Sequence, residues 1–167
     1  MREQTDDYLN SSFGFVKKLA RNLIKKSKIK EPPINLNNVF KNLDNYIEVK
    51  SADLGSEDGF SIGSDLINYN STTSRVRQRF TVAHELGHIL LGHNNRSRVI
   101  DYNSKDTNEQ QANIFASELL APLQMLKKEC SFSESLTSLA DKFLVSKDMM
   151  QWRLKSCGLD SRLGSWK

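Results

Sequence analysis

Thr81-Val82-Ala83-His84-Glu85-Leu86-Gly87-His88 places two histidines four positions apart, with a glutamate directly after the first. On a helix each residue advances by about 100°, so His84 and His88 lie about 40° apart on one face, one turn above the other. Two imidazoles so placed can share one zinc ion at bond lengths of about 2 Å. Glu85 lies beside that face without sharing its direction. It is therefore suited to take a proton from a water that the metal acidifies, rather than to bind the metal itself. The competing reading is a helix whose histidines only pack or face solvent. Context weighs against it, because the motif sits in an apolar-periodic segment, Phe80 to Leu91, which buries one side of the helix. Adjacent buried imidazoles need partners, and a metal is a good one.

This helix reads from Ser74 through Val76, Phe80, Ala83, Gly87 and Leu91, with Gly92 and Asn94-Asn95 as its stop. A polar loop of about a dozen residues follows, then a helix from near Asn108 to Leu120. A peptidase metal needs a third protein ligand. His93 is set aside, because nine positions after His84 it lies about 180° round a continuing helix. The longer metzincin pattern would need glycine at 91 and histidine at 94, where this chain has Leu91 and Asn94. His93 is expected at the surface beyond the helix end. Glu109 is the better candidate. Ala112 and Ala116 form a small-residue seam on which Gly87 can pack, and Glu109 lies about one turn from Ala112 and Asn113 on that face. Asn113 is then placed to hydrogen-bond a ligand from behind. An ordinary helix-start acid, favoured by the helix dipole, accounts for Glu109 equally well on spacing alone. Glu118 points away from that face.

The flanking segments read as short elements. A helix is expected over about Asp7 to Lys28, with Val16, Leu19, Ala20, Leu23 and Ile24 as its apolar stripe and Asp6 or Asp7 as its cap. Its basic face carries Lys17, Lys18, Arg21, Lys25, Lys26 and Lys28 and reads as a solvated surface, with a binding face for something anionic as the alternative. Pro32-Pro33 breaks the chain, and Asn35 caps a short helix with the stripe Leu36, Val39, Phe40 and Leu43. The runs around Tyr46–Val49, Phe60–Gly63 and Asp65–Asn70, with Asp58-Gly59 as a turn signal, predict an antiparallel sheet of about three strands. Pro122 opens another short helix. From Leu136 to Gly158 two helices are expected, joined near Val145-Ser146 with Ser146 as a cap.

With 167 residues, 38% hydrophobic and 26% charged, the chain suits one compact α+β domain, mostly helical. Residues 1–130 read as the core and 131–167 as a helical extension packed on it. A net charge of +4 permits an acidic partner without demanding one. Cys130 and Cys157 are too few for a disulfide framework and read as reduced thiols. No apolar run approaches a membrane span, and the opening MREQTDDYLN lacks the pattern of a signal peptide, so the cytoplasm is expected.

The blocks Arg79–His88 and Glu109–Pro122 together resemble the ImmA/IrrE family of metallopeptidases. Pro32-Pro33-Ile34 resembles the family's entry segment, and Leu139-Ala140, Phe143, Val145-Ser146 and Arg153-Leu154 resemble its helical tail. The resemblance implies a zincin-like core of gluzincin type, with His84, His88 and Glu109 on zinc and Glu85 catalytic. It also implies a substrate: a helix-turn-helix repressor, often from a mobile element or phage, whose cleavage relieves repression. Ala121 stands where the family usually has methionine, a departure that concerns packing more than chemistry. Tyr69 and Tyr102 are the candidates for a hydroxyl that stabilises the transition state, each with a purely structural alternative.

Two other functions remain to be weighed. One is a regulator that binds a repressor without cutting it, although all the catalytic residue types are present. The other is a DNA-binding protein, for which the tail offers only Lys142, Lys147, Arg153 and Lys155 to phosphates.

Overall fold

The computed structural model describes residues 2–93, 100–133 and 135–161, with side chains from Ser12 onward. The elements in chain order are α1 (Arg2–Lys26), α2 (Leu36–Lys41), β1 (Glu48–Ala52), β2 (Gly59–Ile62), β3 (Leu66–Asn70), α3 (Arg75–Leu91), α4 (Thr107–Leu120), α5 (Leu123–Cys130), α6 (Leu136–Phe143) and α7 (Lys147–Ser156). The expected α+β class holds: among the described residues, seven helices accompany a sheet of three short strands.

Local chemistry sets most helix ends. Asn35, Ser74, Ser135 and Ser146 each accept a hydrogen bond from the backbone N–H three residues on, which satisfies one of the orphan donors of a helix start. Asp106 caps α4 twice, through Asn108 N at 2.9 Å and Glu109 N at 3.2 Å. Gly92 ends α3 at φ +68°, a left-handed turn that glycine adopts without strain. Asn94 and Asn95, read as part of the same stop, lie outside the described residues. At the other end of the chain, α1 begins at Arg2, so Asp6 and Asp7 lie within the helix rather than at its start.

The strand order is β1-β3-β2. β2 pairs antiparallel with β3, as expected, from Gly59 opposite Tyr69 to Ile62 opposite Leu66. β1 pairs parallel with β3, from Glu48 opposite Leu66 to Ala52 opposite Asn70, so the sheet is mixed and not wholly antiparallel. The cause lies in the segment after β1. Buried Asn70 donates to Gly55 O at 3.0 Å and to Glu57 O at 2.8 Å, which carries the chain past the end of β3 to the far edge. β3 then returns as the middle strand. A glycine- and serine-rich run that resembles a hairpin turn is therefore a crossover.

β2 lies hard against the motif helix. A Cβ on Gly59 would sit 2.5 Å from Thr81 Cγ2 and 2.6 Å from Asn68 O. Asp58, expected only to mark a turn, is buried and clamps this junction. Its carboxylate accepts from Arg77 Nε at 2.7 Å and from Ile100 N at 2.8 Å, while Arg77 Nη2 also donates to Ile100 O at 3.0 Å.

A single apolar core takes Val16 and Ala20 from α1, Leu86 from α3, Phe115 and Leu119 from α4, and Leu139, Phe143 and Met149 from α6 and α7. Glu118, at its edge, accepts from Arg21 Nε at 2.8 Å and pairs with buried Arg153, which also donates to Ala121 O at 3.1 Å. One carboxylate thereby joins α1, α4 and α7. Arg153, read from the sequence as a residue the tail could offer to phosphates, is engaged internally, while Arg21 reaches Glu118 from a half-exposed position. Cys130 and Cys157 are not joined by a disulfide. Among the described residues, no helix is long and apolar enough to cross a membrane.

Candidate metal centre

Helices α3 and α4 build the site between them. In α3 all nine residues from Phe80 to His88 are buried, so this helix runs through the interior instead of lying on it. His84 and His88 project from it one turn apart, and their Nε2 atoms approach to 3.0 Å. Glu109, in the first turn of α4, comes between them from the other side. Its Oε2 is 3.3 Å from His84 Nε2 and its Oε1 is 3.3 Å from His88 Nε2. All three side chains are buried, and one ligand atom from each lies within 4.8 Å of the others. The expected trio is thus brought together.

The chemistry of this cluster suits a divalent metal. Four ligands at about 2.0–2.1 Å in tetrahedral array stand about 3.3 Å apart, close to the separations found here. Burial pushes the His84 imidazole below its ordinary value, outweighing the opposing pull of Glu109, so it is neutral and able to offer a lone pair. Burial alone would raise the Glu109 carboxyl. The hydrogen bonds and charge of the two imidazoles outweigh it and hold this group well below the usual carboxylate range. A carboxylate with two imidazole nitrogens is a donor set suited to a cation.

Support from behind is also present. Asn113 is fully buried and donates from Nδ2 to Asp101 O at 2.8 Å, which fixes its amide. Its Oδ1 and the His84 Nδ1 are both buried without a hydrogen-bond partner, and Asn113 is near enough to act on the protonation of His84. A small rotation would pair them, which is the role expected of Asn113.

His93 departs from expectation. It is half-buried, not a free surface residue, with Nδ1 at 3.0 Å from His88 Nδ1 and Nε2 at 2.9 Å from Gln111 Oε1. The angular argument excluded it as a ligand but assumed that the helix continues. The left-handed turn at Gly92 instead folds His93 back against its own helix. Gly87 packs closely on α4, where its nearest neighbours are atoms of Phe115, which lies between Ala112 and Ala116 in sequence.

Glu85 is buried beside His84. Tyr102 packs edge-on against Phe80 at 4.9 Å, with Trp152 stacked on it at 6.3 Å and the Arg77 guanidinium 6.0 Å from its ring centre. The Phe80 ring also stands 6.1 Å from that of His84. Tyr69 lines a groove of about 830 Å³ between α2, β1 and the start of α3, together with Phe40, Val49 and Val82.

A mostly helical α+β domain with a buried His-His-Glu cluster on two helices has the build of a metallopeptidase. The chain belongs to the Peptidase_M78 family, the IrrE N-terminal-like domain, whose model matches residues 44–155. It is similar to the metallopeptidase ImmA of Bacillus subtilis (strain 168), at 30% identity over 133 residues, covering 73% of this chain and 78% of that protein.

Proposed function

We propose that the chain is a zinc-dependent endopeptidase that cuts a helix-turn-helix repressor in the cytoplasm and so relieves repression. The observation that carries this is the convergence of His84, His88 and Glu109, with donor separations of 3.0–3.3 Å. Two imidazoles and a carboxylate form the donor set of a catalytic zinc with a position left open. When bound, zinc acidifies a water and polarises a carbonyl. Glu85 is then the general base. It takes the proton from the attacking water and passes it to the leaving amine. After a small rotation Asn113 would hold the His84 ring from behind, and Glu109 spans both imidazoles with its two oxygens. The repressor as substrate rests on the family resemblance of the motif blocks and on the likeness to a protein named metallopeptidase ImmA.

The test is incubation of the zinc-loaded chain with the product of a neighbouring repressor gene, followed by mass spectrometry of the fragments. Cleavage by the wild type, and none by Glu85→Gln with its metal retained, is the expected pair of results. Relief of repression undiminished in Glu85→Gln would instead establish a binder that does not cut. A salt-dependent gel shift checks direct DNA binding, which the withdrawal of Arg153 into the interior disfavours.

A further inference from the structure

His93 and Gln111 complete a chain of side chains that begins at a metal-facing histidine and ends on a different helix. His88 Nδ1 lies 3.0 Å from His93 Nδ1, His93 Nε2 lies 2.9 Å from Gln111 Oε1, and Gln111 Nε2 reaches Ser12 Oγ on α1. The direction of every bond follows from its first member. If His88 offers the Nε2 lone pair to a metal, its proton sits on Nδ1, and that N–H must donate to His93 Nδ1. His93 then carries its own proton on Nε2 and donates to Gln111 Oε1. With its oxygen used as acceptor, Gln111 presents its amide N–H groups to Ser12. No donor meets a donor anywhere along the chain, so a single set of tautomers satisfies all of it.

We infer that His93 is a positioning residue, which through Gln111 and Ser12 fixes the tautomer and ring orientation of His88 for metal binding. The proposal rests on the metal-centre assignment made above. His93 touches neither substrate nor metal and acts only through His88. The two ligating histidines thus have different neighbours behind them, for His84 the Asn113 amide of α4, its oxygen still unpaired, and for His88 a second imidazole. The latter is linked in turn to the helix that opens the chain. A hydrogen-bonded partner behind a ligating histidine commonly changes metal affinity by about 10–100-fold.

The experiment measures zinc affinity by chelator competition and the visible spectrum of the cobalt-loaded protein, in the full chain. His93→Leu is expected to weaken zinc binding by about 10–100-fold and to alter the cobalt bands. His93→Asn, whose Oδ1 can accept from His88 in place of Nδ1, is expected to recover most of the affinity. Gln111→Met, at a half-buried position, removes only the next bond and gives an intermediate loss. Wild-type affinity and an unchanged cobalt spectrum in all three variants would overturn the inference. Equal losses in His93→Leu and His93→Asn would do the same, by pointing to packing alone. If His84→Ala also binds zinc as tightly as wild type, the metal centre itself is wrongly assigned, a separate failure. A His93→Leu chain too unstable to purify leaves the decision to His93→Asn and Gln111→Met.

Discussion

Gly87 and Phe115 meet so closely that a Cβ added to the glycine would lie 2.9 Å from Cδ1 of the ring and 3.2 Å from its Cβ and Cγ. The contact sits between His84 and His88 on one helix, and faces the helix that carries Glu109. It sets how near α3 and α4 can come, and so whether the carboxylate reaches both imidazoles. Gly87→Ala is expected to destabilise the fold by about 1–3 kcal/mol through overpacking. It is also expected to weaken metal binding, because the helices must part. Urea melts and zinc titration check both, and Phe115→Leu in the same chain should restore part of each.

Metal removal should loosen the protein. A ligand that binds only the folded state stabilises it by about 2.7 kcal/mol at a hundred times its Kd. Calorimetry with zinc and then with excess chelator is expected to show a fall in Tm for the wild type. The His84→Ala variant should melt at one temperature under both conditions.

Acid should act through Glu118. Burial raises this carboxyl, but the hydrogen bond from Arg21, the charge of Arg153 and the Leu123 N–H outweigh it and leave the folded value depressed. A depressed carboxylate contributes stability that is complete above its unfolded value, about 4.3, and is lost as pH falls through the lower folded one. Glu118→Gln is expected to cost about 3 kcal/mol near neutral pH by leaving buried Arg153 uncompensated. Arg21, half exposed, adds little. In chemical denaturation the gap between variant and wild type should close as pH falls below about 4.

Lys28 follows α1 at φ +55°, a conformation that costs a non-glycine residue on the order of 1 kcal/mol. Its side chain is exposed, so little packing is lost on its removal. Lys28→Gly should therefore stabilise the protein by a few tenths of a kcal/mol to about 1 kcal/mol, visible as a rise in Tm. A lower Tm would mean that the lysine makes contacts worth more than the strain.

Features governed by near neighbours in sequence were legible in advance. Asn35 and Ser146 cap the helices they were expected to cap, and the spacing of His84 and His88 needed only helical geometry. Glu109 was legible from spacing only as one of two equal readings, and the family resemblance of its block assigned it to the metal. Long-range pairing was not. Nothing near β1 encodes its parallel register with β3, which depends on Asn70 holding the intervening segment. Asp58 passed for a turn residue because its partners, Arg77 and Ile100, are remote in sequence. Arg153 looked available to phosphates for the same reason, since its partner Glu118 lies on another helix. A stated angle from His84 could not anticipate His93 turning back once the helix ended.

The uninterrupted enclosure of Phe80 to His88 has a consequence for how the molecule breathes. Amide protons on that stretch can trade with deuterated solvent only when neighbouring helices come apart as a body. The segment that holds the two histidine ligands should thus be among the last in the protein to exchange. β1, whose residues after Glu48 are all exposed, should be among the first.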